Sequence, residues 1–238
     1  MQPKIKNLIK EIFFPEDFTC DICGVETFGD NLCPQCKSTV IFNDKNICPY
    51  CGRKTVRPEI CLECKEKPPL YKKAVSAVVY GEGGAKLIHK FKNGYGYLKD
   101  FFAAQIAEKM KTIPQPDFIV YVPMSKKSRK RRGYNQTELL AHALSEITEI
   151  PVEDGIIVKI KETQEQKGLS RKERAENLKG CFKAENKDKI KGRRILIIDD
   201  VLTTGATADA ICKVLLSAGA KETYFASFAS TEYKLPQA

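Results

Sequence analysis

The chain predicts an α/β protein, a parallel sheet with helices on both faces, preceded by a small cysteine-rich region. Three observations carry this. From residue 71 onward, apolar strand-like runs alternate with helical stretches. Before residue 65, eight of the ten cysteines fall into four CxxC pairs. Residues 195–207, ILIIDDVLTTGAT, combine a short apolar run, two adjacent carboxylates, a Thr/Gly turn and the start of a helical pattern.

A length of 238 residues with 42% apolar content suits one or two domains with a substantial core. The KPP at 67–69 marks the expected boundary between a region 1–70 and a region 71–238. Residues 1–70 are formally neutral, so the whole net charge of +10 lies in 71–238, and a polyanion would be drawn there. The first residues lack the apolar core and small-residue cleavage site of a signal peptide, and no apolar run approaches the ~18–20 residues of a membrane span. A cytosolic protein is expected. In IKNLIKEIFF, Ile5, Leu8, Ile9, Ile12 and Phe13 share one helical face. That face suits docking against the protein's own body; a membrane-surface helix is the alternative.

The CxxC pairs are Cys20/Cys23, Cys33/Cys36, Cys48/Cys51 and Cys61/Cys64. The spacing C-x2-C-x9-C-x2-C occurs twice, an internal repeat in which each copy supplies the four thiolates of a closed, structural zinc shell. Pro34 and Pro49 follow the first Cys of two pairs, and Gly24 and Gly52 follow the second, as knuckle turns require. Disulfides fit a cytosolic setting poorly, and a region this poor in apolar residues needs a staple to fold. Sequential pairing makes two tandem ribbons; cross-braced pairing (20/23/48/51 with 33/36/61/64) is equally compatible with the spacing. Cys181 and Cys212 are expected in the core of the second region.

Strand-like segments follow at AVSAVVY (74–80), FIVYV (118–122), GIIVKI (155–160), ILII (195–198) and TYFASFA (223–229). Helical stretches lie between them: GGAKLIHKFK, YLKDFFAAQIAEKMK, NQTELLAHALSEIT, SRKERAENLKG and ATADAICKVLLSAG, the last closed by Gly219. In such sheets ligands bind at the carboxyl ends of the strands. Asp199 and Asp200 stand at such an end, where they are suited to accept hydrogen bonds from vicinal ribose hydroxyls. The turn and first helical turn, Thr203, Thr204, Gly205, Ala206 and Thr207, offer N–H groups, hydroxyls and the positive helix end to a phosphate. A 5-phosphorylated ribose is the ligand that fits. The alternative is an ordinary strand and turn, but adjacent carboxylates ending an apolar strand are costly without a ligand or solvent. No Gly-Lys-Ser/Thr follows, which excludes a Walker loop, and no GxGxxG occurs. The segment resembles the phosphoribosyl pyrophosphate (PRPP) loop of type I phosphoribosyltransferases, matching hydrophobic-DD-hydrophobic-x-TTGxT at every position.

In that family the position of Pro123, Met124, Ser125 and Lys126, directly after FIVYV, is the pyrophosphate loop. Ser170 with Glu173 makes a capping-box signature. The polar stretch around it resembles the mobile flap of these enzymes, with Gln166, Arg171 and Arg174 as candidate phosphate or product contacts; a solvated loop and helix is the competing reading. Six of the seven residues from Lys126 to Arg132 are basic, namely Lys126, Lys127, Arg129, Lys130, Arg131 and Arg132, and Tyr134 follows closely. The competing reading is a solvated loop serving only pyrophosphate, but one pyrophosphate does not need six cations, so an added role on nucleic-acid backbone is favoured, with Tyr134 able to stack on an unpaired base.

LIHKFKNGYGYL (87–98), VPMSKKSRKRRGYNQTELLA (122–141), QKGLSRKERAENLKGCF (166–182), IDDVLTTGAT (198–207) and the double zinc ribbon resemble, in content and order, the ComF (ComFC-type) family. The resemblance implies a protein of natural transformation with a phosphoribosyltransferase-like domain that binds PRPP with Mg, contacts single-stranded DNA and works beside a DNA-translocating helicase. It also implies two structural zinc ions and a cytoplasmic site of action, at the inner membrane face through partners. Thr203 stands where the 6-oxopurine enzymes carry an acid that assists purine deprotonation, which argues against hypoxanthine or guanine chemistry. An active transferase using Asp199, Asp200, Arg171 and Arg174 with an unidentified acceptor, and a non-catalytic PRPP sensor, remain open alternatives here.

Overall fold

A computed structural model describes residues 19–27, 29–162, 173 and 176–233. The cysteine-rich part holds two short helices, α1 (Pro34–Ser38) and α2 (Leu62–Glu66). Then come β1 (Lys73–Val79), α3 (Glu82–Lys92), α4 (Leu98–Met110), β2 (Phe118–Tyr121), α5 (Lys126–Arg132), α6 (Gln136–Thr148), β3 (Ile157–Lys159), β4 (Phe182–Ala184), α7 (Lys187–Ile190), β5 (Arg194–Leu202), α8 (Ala206–Ser217) and β6 (Glu222–Ser230). The amphipathic stretch 5–14 lies outside the described residues.

The main sheet is parallel, in the order β1-β6-β5-β2. Its central strand β5 is apolar on both faces because both are covered. Leu196 and Ile198 point into one cluster, with Phe91, Phe102, Ile106, Leu140 and Leu144 of α3, α4 and α6. Ile195 and Ile197 point into the other, with Ile211 and Leu215 of α8. The two-residue period of a strand makes that division. GIIVKI does not join this sheet. Its strand β3 pairs antiparallel with β4 in a separate two-stranded unit, with Ile156 and Ile157 buried beside Phe182 against the α8 side. A short apolar run specifies burial without specifying which strand it pairs with.

The cysteine-rich part covers the otherwise open edge of β1. Asn43 N–H donates to Ala77 O at 2.9 Å, Val79 N–H to Ile41 O at 2.8 Å and Ala74 N–H to Tyr50 O at 2.7 Å. The buried Asn43 side chain donates to Ser76 O, Val78 O and Ser230 Oγ, 3.2 to 3.3 Å away. Leu32 and Val40 join the cluster under α3 and α4, so the ribbons share apolar packing with the sheet.

Candidate functional site

The four thiols of each sequential set lie within 4.8 Å of one another: Cys20, Cys23, Cys33 and Cys36, then Cys48, Cys51, Cys61 and Cys64. The cross-braced alternative is excluded. Cys23 Sγ to Cys33 Sγ and Cys51 Sγ to Cys61 Sγ are both 3.8 Å. That is the edge of a tetrahedron whose centre is about 2.3 Å from each sulfur, the Zn–S distance. Without a metal, the thiols cannot all ionise together: Cys48 and Cys51 hold Cys64 well above the ordinary thiol range. A divalent cation reverses this, and both tetrads fit zinc. The second tetrad also has an outer shell. Arg53 Nε donates to Cys51 Sγ at 3.3 Å and Arg53 Nη2 pairs with Glu63 at 2.8 Å.

At the carboxyl end of β5, Asp200 is buried and Asp199 half-buried. Asp200 N–H donates to Asp199 Oδ1 at 2.8 Å. Burial and then the charge of Asp200 push the Asp199 carboxyl up to about 8, against the opposing effects of that N–H and of Lys92. Asp200 Oδ2 is 2.9 Å from Lys92 Nζ. Burial alone would lower the Lys92 pKa, but the charges of Asp200 and Asp199 overcome it and raise it above its ordinary value. No sequence motif singles out Lys92. It ends α3, whose Leu87, Ile88 and Phe91 are buried under the sheet, and this seating carries the last residue to the strand ends.

The turn after β5 depends on a glycine. Gly205 adopts φ +77, a left-handed conformation that favours glycine, and leads into α8. Thr203, Thr204, Gly205, Ala206 and Thr207 are all half-buried at one helix end. Thr204 Oγ1 accepts the Ala206 N–H at 3.4 Å, while Thr203 O is held by Thr231 Oγ1 at 3.3 Å. A groove of about 1230 Å³ starts at Thr204 and Ala206 and follows α8 to Ala218, without touching the acidic pair.

After β2, Met124 is half-buried and Ser125 buried. Ser125 Oγ accepts the Ser128 N–H at 3.2 Å, which starts α5 where sequence suggested only a loop. Lys127, Arg129, Lys130 and Arg131 are exposed on that helix. Arg129 Nη1 pairs with Glu138 at 3.2 Å, and Arg132 Nη1 donates to Gln136 Oε1 at 3.2 Å. Tyr134 is half-buried; its hydroxyl donates to Phe91 O at 2.6 Å and accepts the Gly94 N–H at 3.2 Å. Arg171 and Arg174, with Gln166 and Ser170, lie outside the described residues, as does the Lys126 side chain.

This sheet, with an acidic pair and a Thr/Gly turn at its carboxyl end, defines a phosphoribosyltransferase-like protein carrying a double zinc ribbon. A model of the phosphoribosyl transferase domain matches residues 130–234, and one of the double zinc ribbon domain matches residues 9–65. Competence protein F of Haemophilus influenzae is 34% identical over 165 residues, 66% of this chain and 72% of that one. DNA utilization protein YhgH of Escherichia coli K12 is 32% identical over 209 residues, 84% of this chain and 85% of its own. Competence protein ComFC of Streptococcus pneumoniae is 31% identical over 135 residues, 56% of each chain. The chain belongs to the ComF family. Among the described residues no helix is long and apolar enough to cross a membrane.

Proposed function

We propose that this protein binds PRPP with Mg at the end of β5 and handles single-stranded DNA during the uptake or use of external DNA. The observation that carries the reading is the acidic pair, Asp200 buried and Asp199 half-buried, beside a Thr/Gly turn at the N-terminus of α8. In this reading Asp199 and Asp200 accept the ribose hydroxyls, while residues 203–207 hold the 5-phosphate through backbone N–H groups and threonine hydroxyls. The diphosphate extends toward Met124, Ser125 and Lys126. Bound Mg supplies charge neutralisation to the diphosphate. Arg171 and Arg174 are proposed to contact phosphate from the segment between β3 and β4.

The names of the Haemophilus, Escherichia and Streptococcus relatives support a role in competence or DNA use. The exposed Lys127, Arg129, Lys130 and Arg131 of α5 are proposed to carry the DNA backbone, and a DNA-translocating helicase is the proposed partner. Because the Tyr134 hydroxyl is engaged at the end of α3, only its ring is offered to a base. The test is calorimetry of zinc-loaded protein with Mg and PRPP, alongside single-stranded DNA binding at several salt concentrations. Saturable binding of both is expected. Absence of PRPP binding overturns the site, and release of pyrophosphate in the presence of DNA or a free base would show turnover as well as binding.

A further inference from the structure

The acidic pair has a cation built against it. Lys92 Nζ reaches Asp200 Oδ2 from the end of α3, and its side chain keeps 31% of its surface exposed. The Arg132 guanidinium donates to Gln136 Oε1 at 3.2 Å, and its charge opposes that of Lys92. Gln136 is 1% exposed, and its Nε2 has no hydrogen-bond partner. A buried amide donor beside the Arg132 guanidinium thus lacks an acceptor. An unpaired buried donor is unfavourable, and an anion relieves it.

The platform is also fastened. The Tyr134 hydroxyl bridges Phe91 O and Gly94 N–H, so the turn that ends α3 is tied to the residue between α5 and α6. Asn135 Nδ2 and Thr137 Oγ1 both donate to Val122 O, at 3.3 and 2.7 Å, which ties the same segment to the end of β2. Lys92 and Arg132 therefore project from one braced unit beside residues 123–126.

We propose that Lys92 and Arg132 form the cationic clamp for the diphosphate of the ligand, with Asp200 holding Lys92 in place until that anion arrives. This rests on the PRPP reading of the acidic pair, and it removes Arg132 from the DNA-binding face of α5. In the free protein Lys92 neutralises Asp200. With ligand present the ribose hydroxyls take over the Asp200 carboxylate, and the ammonium turns to the diphosphate oxygens.

Binding of PRPP, ribose 5-phosphate and inorganic pyrophosphate, each with Mg, is measured on wild type and on Lys92→Met, Lys92→Arg and Arg132→Met. Loss of a charge-assisted hydrogen bond predicts about a tenfold or greater weakening of PRPP and pyrophosphate in Lys92→Met and Arg132→Met. Ribose 5-phosphate is expected to change little, and Lys92→Arg to recover most of the affinity. Equal weakening of all three ligands, or tighter PRPP binding by Lys92→Met, overturns the clamp. So does a wild-type protein that binds ribose 5-phosphate and PRPP equally and ignores pyrophosphate. If wild type binds no ribose phosphate at all, the PRPP reading itself fails. Zinc content and thermal melting report folding; should Lys92→Met not fold, Lys92→Arg and Arg132→Met carry the same comparison.

Discussion

Asp209, in the first turn of α8, accepts the backbone N–H of Leu70 through Oδ1 at 3.0 Å. Leu70 lies in the stretch that leaves the second cysteine tetrad, so this bond ties that stretch to the helix that follows the Thr/Gly turn. The contact does not stand alone. Cys51, Arg53, Cys64 and Tyr71 line a small cavity together with Leu202, Thr204, Gly205 and Asp209. A Cβ on Gly205 would stand 3.6 Å from the Tyr71 hydroxyl. Tyr233, just beyond β6, packs on the same cysteines. The second ribbon is part of the wall behind the Thr/Gly turn 203–207. The first ribbon instead packs toward α3 and α4 through Leu32, Cys33 and Val40.

Loss of the second metal site should therefore reach the ligand, whereas loss of the first should not to the same degree. Cys64→Ser is expected to weaken PRPP binding by about tenfold or more, since three ligands hold zinc less firmly and the wall behind Gly205 loosens. Cys23→Ser, at the exposed ligand of the first tetrad, is expected to lower the melting temperature with a smaller effect on PRPP. Metal analysis and calorimetry on the two variants check this. Equal effects on PRPP would mean that the ribbons support the fold only in general.

The repeat supplies a second internal control. Gly24 and Gly52 occupy equivalent knuckle positions at φ +77 and φ +67. A Cβ on Gly24 meets nothing within 4 Å, whereas one on Gly52 would lie 2.5 Å from Ala74 O in β1. Gly24→Ala should cost only the left-handed backbone penalty, about 1 kcal/mol. Gly52→Ala should cost clearly more, about 3 kcal/mol or beyond, because a backbone carbonyl of the sheet has to move. Denaturant unfolding of both variants, with zinc present, measures the difference.

What could be foreseen from sequence divides along the range of the interactions. The tetrads and the turn 199–207 are local patterns; each tetrad's thiols meet within 4.8 Å, and residues 199–207 lead from the end of β5 into α8. The burial of residues 195–198 followed from four consecutive apolar residues. Lys92 could not be found that way, because its meeting with Asp200 depends on how α3 seats on the sheet. Nor could Asn43, whose three side-chain bonds join a ribbon loop to β1 and β6. The basic run 126–132 hid a helix because it has no apolar periodicity; its one local signal was the Ser125 cap. Gly133 at φ +84 then ends it.

Asp199 gives a pH dependence whose sign is definite. Its carboxyl is raised from the ordinary value of 3.8 to about 8 in the folded protein. Between those values the folded state binds the extra proton, so this group's contribution to stability is full below pH 3.8 and is lost as pH rises through about 8. Ribose hydroxyls donate best to an ionised carboxylate. PRPP affinity should therefore rise from pH 6 to about 8 and level off above it, with uptake of ligand releasing a proton near pH 7. Calorimetry in two buffers of different ionisation enthalpy counts that proton. Asp199→Asn should remove both the proton release and the rise, and a pH-independent affinity in the wild type would rule out a raised Asp199.

DNA binding, if it runs along α5, separates cleanly from the clamp. Lys127, Lys130 and Arg131 are exposed, whereas Arg132 is half-buried and turned to Gln136. Each phosphate contact on a single strand contributes about −0.7 to the slope of log affinity against log salt. Replacing Lys127, Lys130 and Arg131 with glutamine should thus flatten the slope by up to about 2, leaving PRPP affinity within about twofold. Arg132→Met should do the reverse, lowering PRPP affinity with little change in slope. Tyr134→Phe distinguishes the two roles of that residue: a stacking ring survives the change, whereas the bridge between Phe91 O and Gly94 N–H does not. It is expected to spare DNA binding and to weaken PRPP. Fluorescence anisotropy with a labelled single strand across a salt series, set beside PRPP titrations of the same proteins, measures both quantities. A slope that survives the triple replacement would place the strand elsewhere on the molecule.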